Sequence, residues 1–232
     1  MKNIPRVYID KKLEVGKTFA LDDAQAHYLT KVMRTDKCLV FNNGVEYVAK
    51  LTTEKNRVTC YVSRVTNHPD PGNDITFCFA PIKKTDDMLN MATQMGVTRL
   101  QPVLTDRTVA HHVNWSRMEK IIVEAAEQSN RNSVPELLPP KTFKEFLQES
   151  VLRNQELVFA DERAAHNSNY ESRVTNHDKN SCAVFIGPEG GFSDAEFAAL
   201  DAVGAIGISL GKTILRAETA AVAAMAQLII KN

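Results

Sequence analysis

Four cysteines in 232 residues, none closely paired, leave little room for a metal cluster or a disulfide framework. Cys38, Cys60, Cys78 and Cys182 stand far apart. Cys60 and Cys78 fall in apolar, strand-like stretches where cysteine behaves as a small hydrophobe. No metal is expected, and the pattern suits a reducing compartment. Long apolar runs are also missing. The most apolar stretch, residues 220–230, is too short to cross a bilayer. The opening MKNIPRVYID has no apolar core of signal-peptide length. The expectation is a cytoplasmic protein without a membrane partner. Neither sign of charge is in excess, because 28 Lys/Arg offset 28 Asp/Glu. The balance is nevertheless uneven: residues 1–70 carry 12 basic and 8 acidic side chains, and the remainder carry 16 and 20. A modestly basic first part suits an acidic partner such as nucleic acid, although chance explains so small an asymmetry equally well.

What is present is an ordinary globular composition, 44% hydrophobic and 24% charged, of a length for one large domain or two small ones. Residues 6–66 hold short β-type runs (RVYI, TFAL, CLVF, EYVAKL, RVTCYVSRV) interrupted by a helical DDAQAHYLTKVM. Turn residues such as Asn42-Asn43-Gly44 between such runs point to a small barrel. NHPDPGND at 67–74 reads as a linker, since each proline disfavours helix and removes a donor. Beyond it, strands (ITFCFAPI, RLQPVL, LVFAD, CAVFIG, AIGISL) alternate with helices, and that order predicts a mainly parallel sheet covered by helices. Asn114 is a candidate cap for the helix that follows it, and Ser193 with Glu196 has capping-box spacing. The expected domains are residues 1–70 and 74–232.

Two stretches hold the chemistry. GISLGKTILRAETAA, residues 207–221, imitates the end of a phosphate-binding loop at Gly211-Lys212-Thr213. That loop needs glycine five positions before the second glycine, where Ile206 stands, and the intervening residues read as strand. FIGPEGGFSDAEF, residues 185–197, places a glycine-rich turn between a buried strand and a capped helix. In open α/β sheets ligands bind at such carboxyl ends of strands. No G-x-G-x-x-G follows the first strand of this region, which excludes a dinucleotide fold. His111-His112 is weak as a metal or acid–base pair, since neighbours on a strand face opposite ways. Trp115 reads as a packing residue at a helix start, and Glu127, Gln128 and Asn130 are candidates to face the pocket.

IGPEGGFSDAEF followed by SLGKTILRAETAA resembles the ribosomal small-subunit RNA methyltransferase E family, which methylates N3 of a uridine in 16S rRNA. The similarity extends to RVYI, HYLTKVMR (27–34), MATQMGV (91–97) and EAAEQSNRNSVPEL (124–137), covering nearly the whole chain in order. It implies an α/β fold: a trefoil-knotted, S-adenosylmethionine-dependent domain with a mainly parallel sheet, behind a small PUA-like β-barrel that binds RNA. It also implies a homodimer acting on 16S rRNA or the small ribosomal subunit. Ile186, Gly187 and Gly190 match the family's cofactor-contacting positions in the first loop; Leu210, Gly211, Ile214 and Leu215 match those of the second. Arg216 is the candidate for stabilising a deprotonated uracil or gripping a phosphate, and Glu218 for accepting the proton or orienting Arg216. Arg6, Lys31 and Arg34 are the candidate RNA contacts. Family members often have Pro-Arg where Lys212-Thr213 stands, Arg-Met-Glu for Asp87-Met88-Leu89 and Glu for Gln94. Two rivals stand beside this reading: a non-catalytic RNA-binding assembly factor with the same fold, and a knotted methyltransferase for another nucleotide.

Overall fold

The structure is a computed structural model and describes residues 4–54, 57–66, 74–109, 114–152, 156–163 and 181–229. The His111-His112 pair lies outside them. The chain divides into two compact units, residues 1–71 with 123–134, and residues 72–122 with 135–232.

The first unit contains β1 (Arg6–Tyr8), β2 (Thr18–Ala20), α1 (Asp23–His27), β3 (Lys37–Asn42), β4 (Val45–Glu54) and β5 (Arg57–Val65). Helix α1 is opened by Asp22, whose carboxylate accepts the Gln25 N–H, and runs directly into a π-helical turn over Tyr28–Val32. The strands form one sheet in the order β1-β3-β4-β5-β2, with β1 parallel to β3 and the other pairs antiparallel. Among the described residues no ladder joins β1 to β2, the two edges of this sheet. The β3–β4 hairpin closes on Asn43 and Gly44, both at positive φ (50° and 78°). A two-residue turn with two left-handed residues matches the strand twist, which is why Asn-Gly stands there. Alternate residues of the strands face inward, so Cys38, Val40, Ala49, Cys60 and Val62 join Leu29 in a core without solvent exposure.

The second unit begins with β6 (Asp74–Phe79), α2 (Thr85–Gln94), β7 (Arg99–Leu104) and the start of α3 (Trp115–Gln128). It continues through β8 (Glu136–Leu137), β9 (Lys141–Thr142), α4 (Phe143–Leu152), β10 (Glu156–Ala160) and β11 (Ser181–Ile186). It ends with α5 (Asp194–Ala202), β12 (Ile206–Ile208) and α6 (Ala217–Ile229). Its sheet runs β12-β10-β11-β6-β7-β8, with β9 also on β7, and every pairing is parallel. Strands covered on both faces need near-continuous apolar runs. ITFCF of β6 and CAVFI of β11 are buried at every position. Helix α6 packs on β11 and α2, whereas α4 lies against β7 and β9. Asn114 caps α3 through the Arg117 N–H at 3.2 Å, and Trp115 donates from Nε1 to Glu119 one turn on. The parallel register brings the carboxyl ends of β6, β10 and β11 side by side, and the site is built there.

Candidate functional site

The first loop follows β11. Gly191 adopts a φ of +69° and returns its N–H to the Pro188 carbonyl at 2.9 Å, a turn that L side chains rarely follow. Two residues later Ser193 opens α5 with a complete capping box, its hydroxyl accepting the Glu196 N–H while Glu196 accepts the Ser193 N–H. Glu196 is buried and also accepts the Asp106 N–H at 2.8 Å, and Arg107 donates to the Gly190 carbonyl at 2.8 Å. From beneath, Phe192 is gripped by Phe185, Phe197 and Phe159 at centroid distances of 5.0, 5.6 and 6.1 Å. A Cβ on Gly187 would stand 3.1 Å from the Phe192 ring, so a side chain there fits only if the ring gives by a few tenths of an ångström. The turn, the capping box and the phenylalanine cluster together define the loop's backbone path.

The second loop links β12 to α6. Gly211 has a φ of +113° and nothing within 4 Å of the place a Cβ would occupy, so glycine is required there by backbone conformation. Ser209 is held by Gln227 of α6 at 3.2 Å. The Arg216 carbonyl accepts the Ala220 N–H at 2.8 Å, which makes Arg216 the residue at the mouth of the helix.

Both loops line one cavity of about 560 Å³. Of the positions anticipated for a cofactor, Ile186, Gly187, Leu210, Gly211, Ile214 and Leu215 face it together. Gly190 does not; its neighbour Gly191 does, while the Gly190 carbonyl is engaged by Arg107. Glu127, Gln128 and Asn130, candidates to face the pocket, belong to the first unit, at and just beyond the carboxyl end of α3. Arg216 and Glu218 both line the cavity. The Glu218 carboxylate pairs with Lys84 at 3.0 Å. Its own backbone N–H, Lys84 and Arg216 hold its carboxyl below the usual range, which makes it a weaker base. Arg216 is exposed, and its side chain has no hydrogen-bond or ion-pair partner among the described residues.

Besides Glu189 within the first glycine loop, four charged lining residues escaped the sequence reading: Lys83 and Lys84 after β6, and Asp161 and Glu162 after β10. No local motif marks them. Their one signal was position at the carboxyl end of a parallel strand. Asp161 is buried and paired with Arg163 at 2.7 Å, and the Arg163 guanidinium lies 4.1 Å over the Phe197 ring.

In the first unit the expectation that Arg6 meets RNA is corrected. Its side chain is 7% exposed, paired with Glu46 at 2.7 Å and stacked 4.5 Å over Phe41. The remaining donors bind the carbonyls of Ala126, Glu127 and Arg131 and the side chain of Asn132 at 2.8–3.2 Å. These acceptors lie at and just beyond the carboxyl end of α3, so the guanidinium caps a helix and has no donor left for a phosphate. Lys31 and Arg34 are exposed on and just after the π-helical turn, Arg34 with a left-handed φ of 50°.

Residues 68–229 match the model of a family described as an RNA methyltransferase domain. The chain is 32% identical to the ribosomal RNA small subunit methyltransferase E of Rickettsia conorii, over 96% of this chain and 93% of that protein. The Bacillus subtilis protein of the same name is 27% identical over 90% and 89% of the two chains. Among solved structures, the Neisseria gonorrhoeae ribosomal RNA small subunit methyltransferase E bound to S-adenosyl methionine superposes with a TM-score of 0.87. That pair shares 29% identity and covers 97% of each chain. The glycine loops, the parallel sheet that presents them and these likenesses agree: the chain belongs to the ribosomal RNA small subunit methyltransferase E family.

Proposed function

We propose that this protein methylates N3 of a uridine in 16S ribosomal RNA, taking the methyl group from S-adenosylmethionine. The observation that carries the reading is the convergence of two glycine-bearing loops and Arg216 on one cavity. The residues present fit that cofactor. A volume of about 560 Å³ falls inside the roughly 300–1,000 Å³ of small-molecule sites. Ile186, Leu210, Ile214 and Leu215 give apolar walls suited to the faces of a purine, and Lys83 and Glu162 offer both signs of charge to an amino-acid zwitterion. When bound, the cofactor supplies an already activated methyl group, which leaves the protein to orient and to stabilise charge.

Uridine N3 is a poor nucleophile until it loses its proton, and a nearby cation favours the deprotonated ring. Arg216 supplies that cation, since a guanidinium stays protonated and cannot itself act as a base. Glu218, an anion in the first turn of α6, holds Lys84 at the cavity. Lys31 and Arg34 contribute phosphate contacts, which position RNA without reading its sequence. The same reading includes a knotted carboxyl-terminal unit, a closed PUA-like barrel, a homodimer and a cytoplasmic small ribosomal subunit as partner. Mass spectrometry of 16S rRNA digests from cells with and without the protein tests it. N3-methyluridine is expected to disappear with the protein, and an unchanged modification profile contradicts the proposal.

A further inference from the structure

We propose that Lys84 is a positioning residue that keeps Arg216 available by occupying Glu218. The inference rests on the role given to Arg216 above. Glu218 stands two residues beyond Arg216, in the first turn of α6, with only 8% of its surface exposed. A carboxylate there is favoured by the helix dipole and by the free N–H groups of that turn. Both it and Arg216 face the same cavity. Arg216 sits at the cap, outside the helical repeat, two positions before Glu218; after the helix's own N–H and Lys84, its charge adds to the field that holds the Glu218 carboxyl low.

Such a pair has an obvious alternative arrangement. A guanidinium binds a carboxylate through two parallel hydrogen bonds and is the natural partner for it. Were Arg216 and Glu218 to close on each other, the positive field at the cavity would be cancelled where the reaction uses it. Lys84 prevents this. It reaches from the carboxyl side of β6 to Glu218 at 3.0 Å, and the Arg216 guanidinium is left without a hydrogen-bond or ion-pair partner among the described residues. Because Glu218 stays ionised through neutral pH, the competition for it is always present.

A plain strap between α2 and α6 predicts something different, and a double substitution separates the two. Lys84→Met releases Glu218 to Arg216; adding Glu218→Gln removes the competitor and frees Arg216 again. The first readout needs neither cofactor nor RNA: phenylglyoxal modification of Arg216, followed by peptide mass spectrometry, with exposed Arg57 as reference in the same digest. Arg216 labelling is expected to slow severalfold in Lys84→Met and to return in Lys84→Met/Glu218→Gln. The second readout is single-turnover methyl transfer to small-subunit RNA. Lys84→Met is expected to lose about tenfold, short of the roughly hundredfold loss from deleting a preorganised charge outright. The double variant is expected to recover to the rate of Glu218→Gln alone, and Lys84→Arg to retain the wild-type rate. Unchanged Arg216 labelling in Lys84→Met overturns the proposal, and so does slowed labelling that Glu218→Gln fails to relieve. If labelling follows the prediction while Arg216→Ala transfers methyl groups at the wild-type rate, the ion-pair exchange stands and the chemical role of Arg216 falls.

Discussion

Replacing Arg6 with alanine separates an architectural arginine from one that touches RNA. The substitution removes an ion pair with Glu46, four further hydrogen bonds and the contact with Phe41. Deleting one partner of a buried ion pair costs about 3–5 kcal/mol, because the other charge is left stranded. Glu46 is 14% exposed and keeps a hydrogen bond from Thr66 at 2.7 Å, which pulls the figure toward the lower end. The acceptors around the end of α3 also lose the Arg6 donors, although the Ala126 carbonyl keeps the Arg131 N–H. About 3–4 kcal/mol is therefore expected, a large part of a typical total of roughly 5–15 kcal/mol. For a chain of this size that lowers the melting temperature by about 10 °C. Thermal melting followed by circular dichroism reads it. Arg6→Lys restores at best the Glu46 pair, since one ammonium cannot reach five acceptors. A variant that melts within a degree or two of wild type but binds RNA more weakly, with a shallower salt dependence, refutes the assignment.

Gly211→Val forces a β-branched residue to a φ of +113°. Strain of about 1–3 kcal/mol is expected to distort the loop and to abolish S-adenosylmethionine binding in calorimetry. Unchanged affinity places the cofactor elsewhere, and tight ATP binding would revive the phosphate-loop reading of Gly211-Lys212-Thr213. Lys31→Ala and Arg34→Ala are each expected to lower the slope of log K against log salt for RNA binding by roughly one; an unaltered slope excludes that residue from the interface. Burial holds the Glu127 carboxyl above its ordinary value of 4.5, so the folded state binds that proton more tightly and stability falls as pH rises through the window. Glu127→Gln, which still accepts the Tyr8 N–H, is expected to be more stable than wild type near pH 7 and equal to it in acid. Denaturation midpoints across pH check this, and a constant difference removes Glu127 from the titration.

Much of the second unit was legible in the sequence because its signals are local. Buried strands appear as short apolar runs, Ser193 and Glu196 announce the start of α5, and the two glycine loops sit where strands hand over to helices. Helix α4 was passed over although Phe143, Phe146 and Leu147 repeat at helical spacing, and two-residue strands such as β8 and β9 carry no periodicity at all. Arg6 was misread for a physical reason. One arginine near a basic segment looks like a phosphate contact until the fold brings residues 126–132 to it from more than a hundred positions away. Lys84 and Glu218 meet across 134 residues, and nothing in either neighbourhood foretells the pair. Charged groups without a motif become readable only when parallel register sets the strand ends side by side.

In the proposed reaction Arg216, lining the cavity of the two glycine loops, stabilises the uracil anion during methyl transfer. Single-turnover transfer by Arg216→Ala, at saturating S-adenosylmethionine and small-subunit RNA and across a range of pH, tests it most directly. The account predicts a loss on the order of a hundredfold near neutral pH, little recovery in Arg216→Lys, and partial rescue of the alanine variant as pH rises and uridine ionises unaided. A wild-type rate in Arg216→Ala, or a loss that no rise in pH relieves, contradicts it.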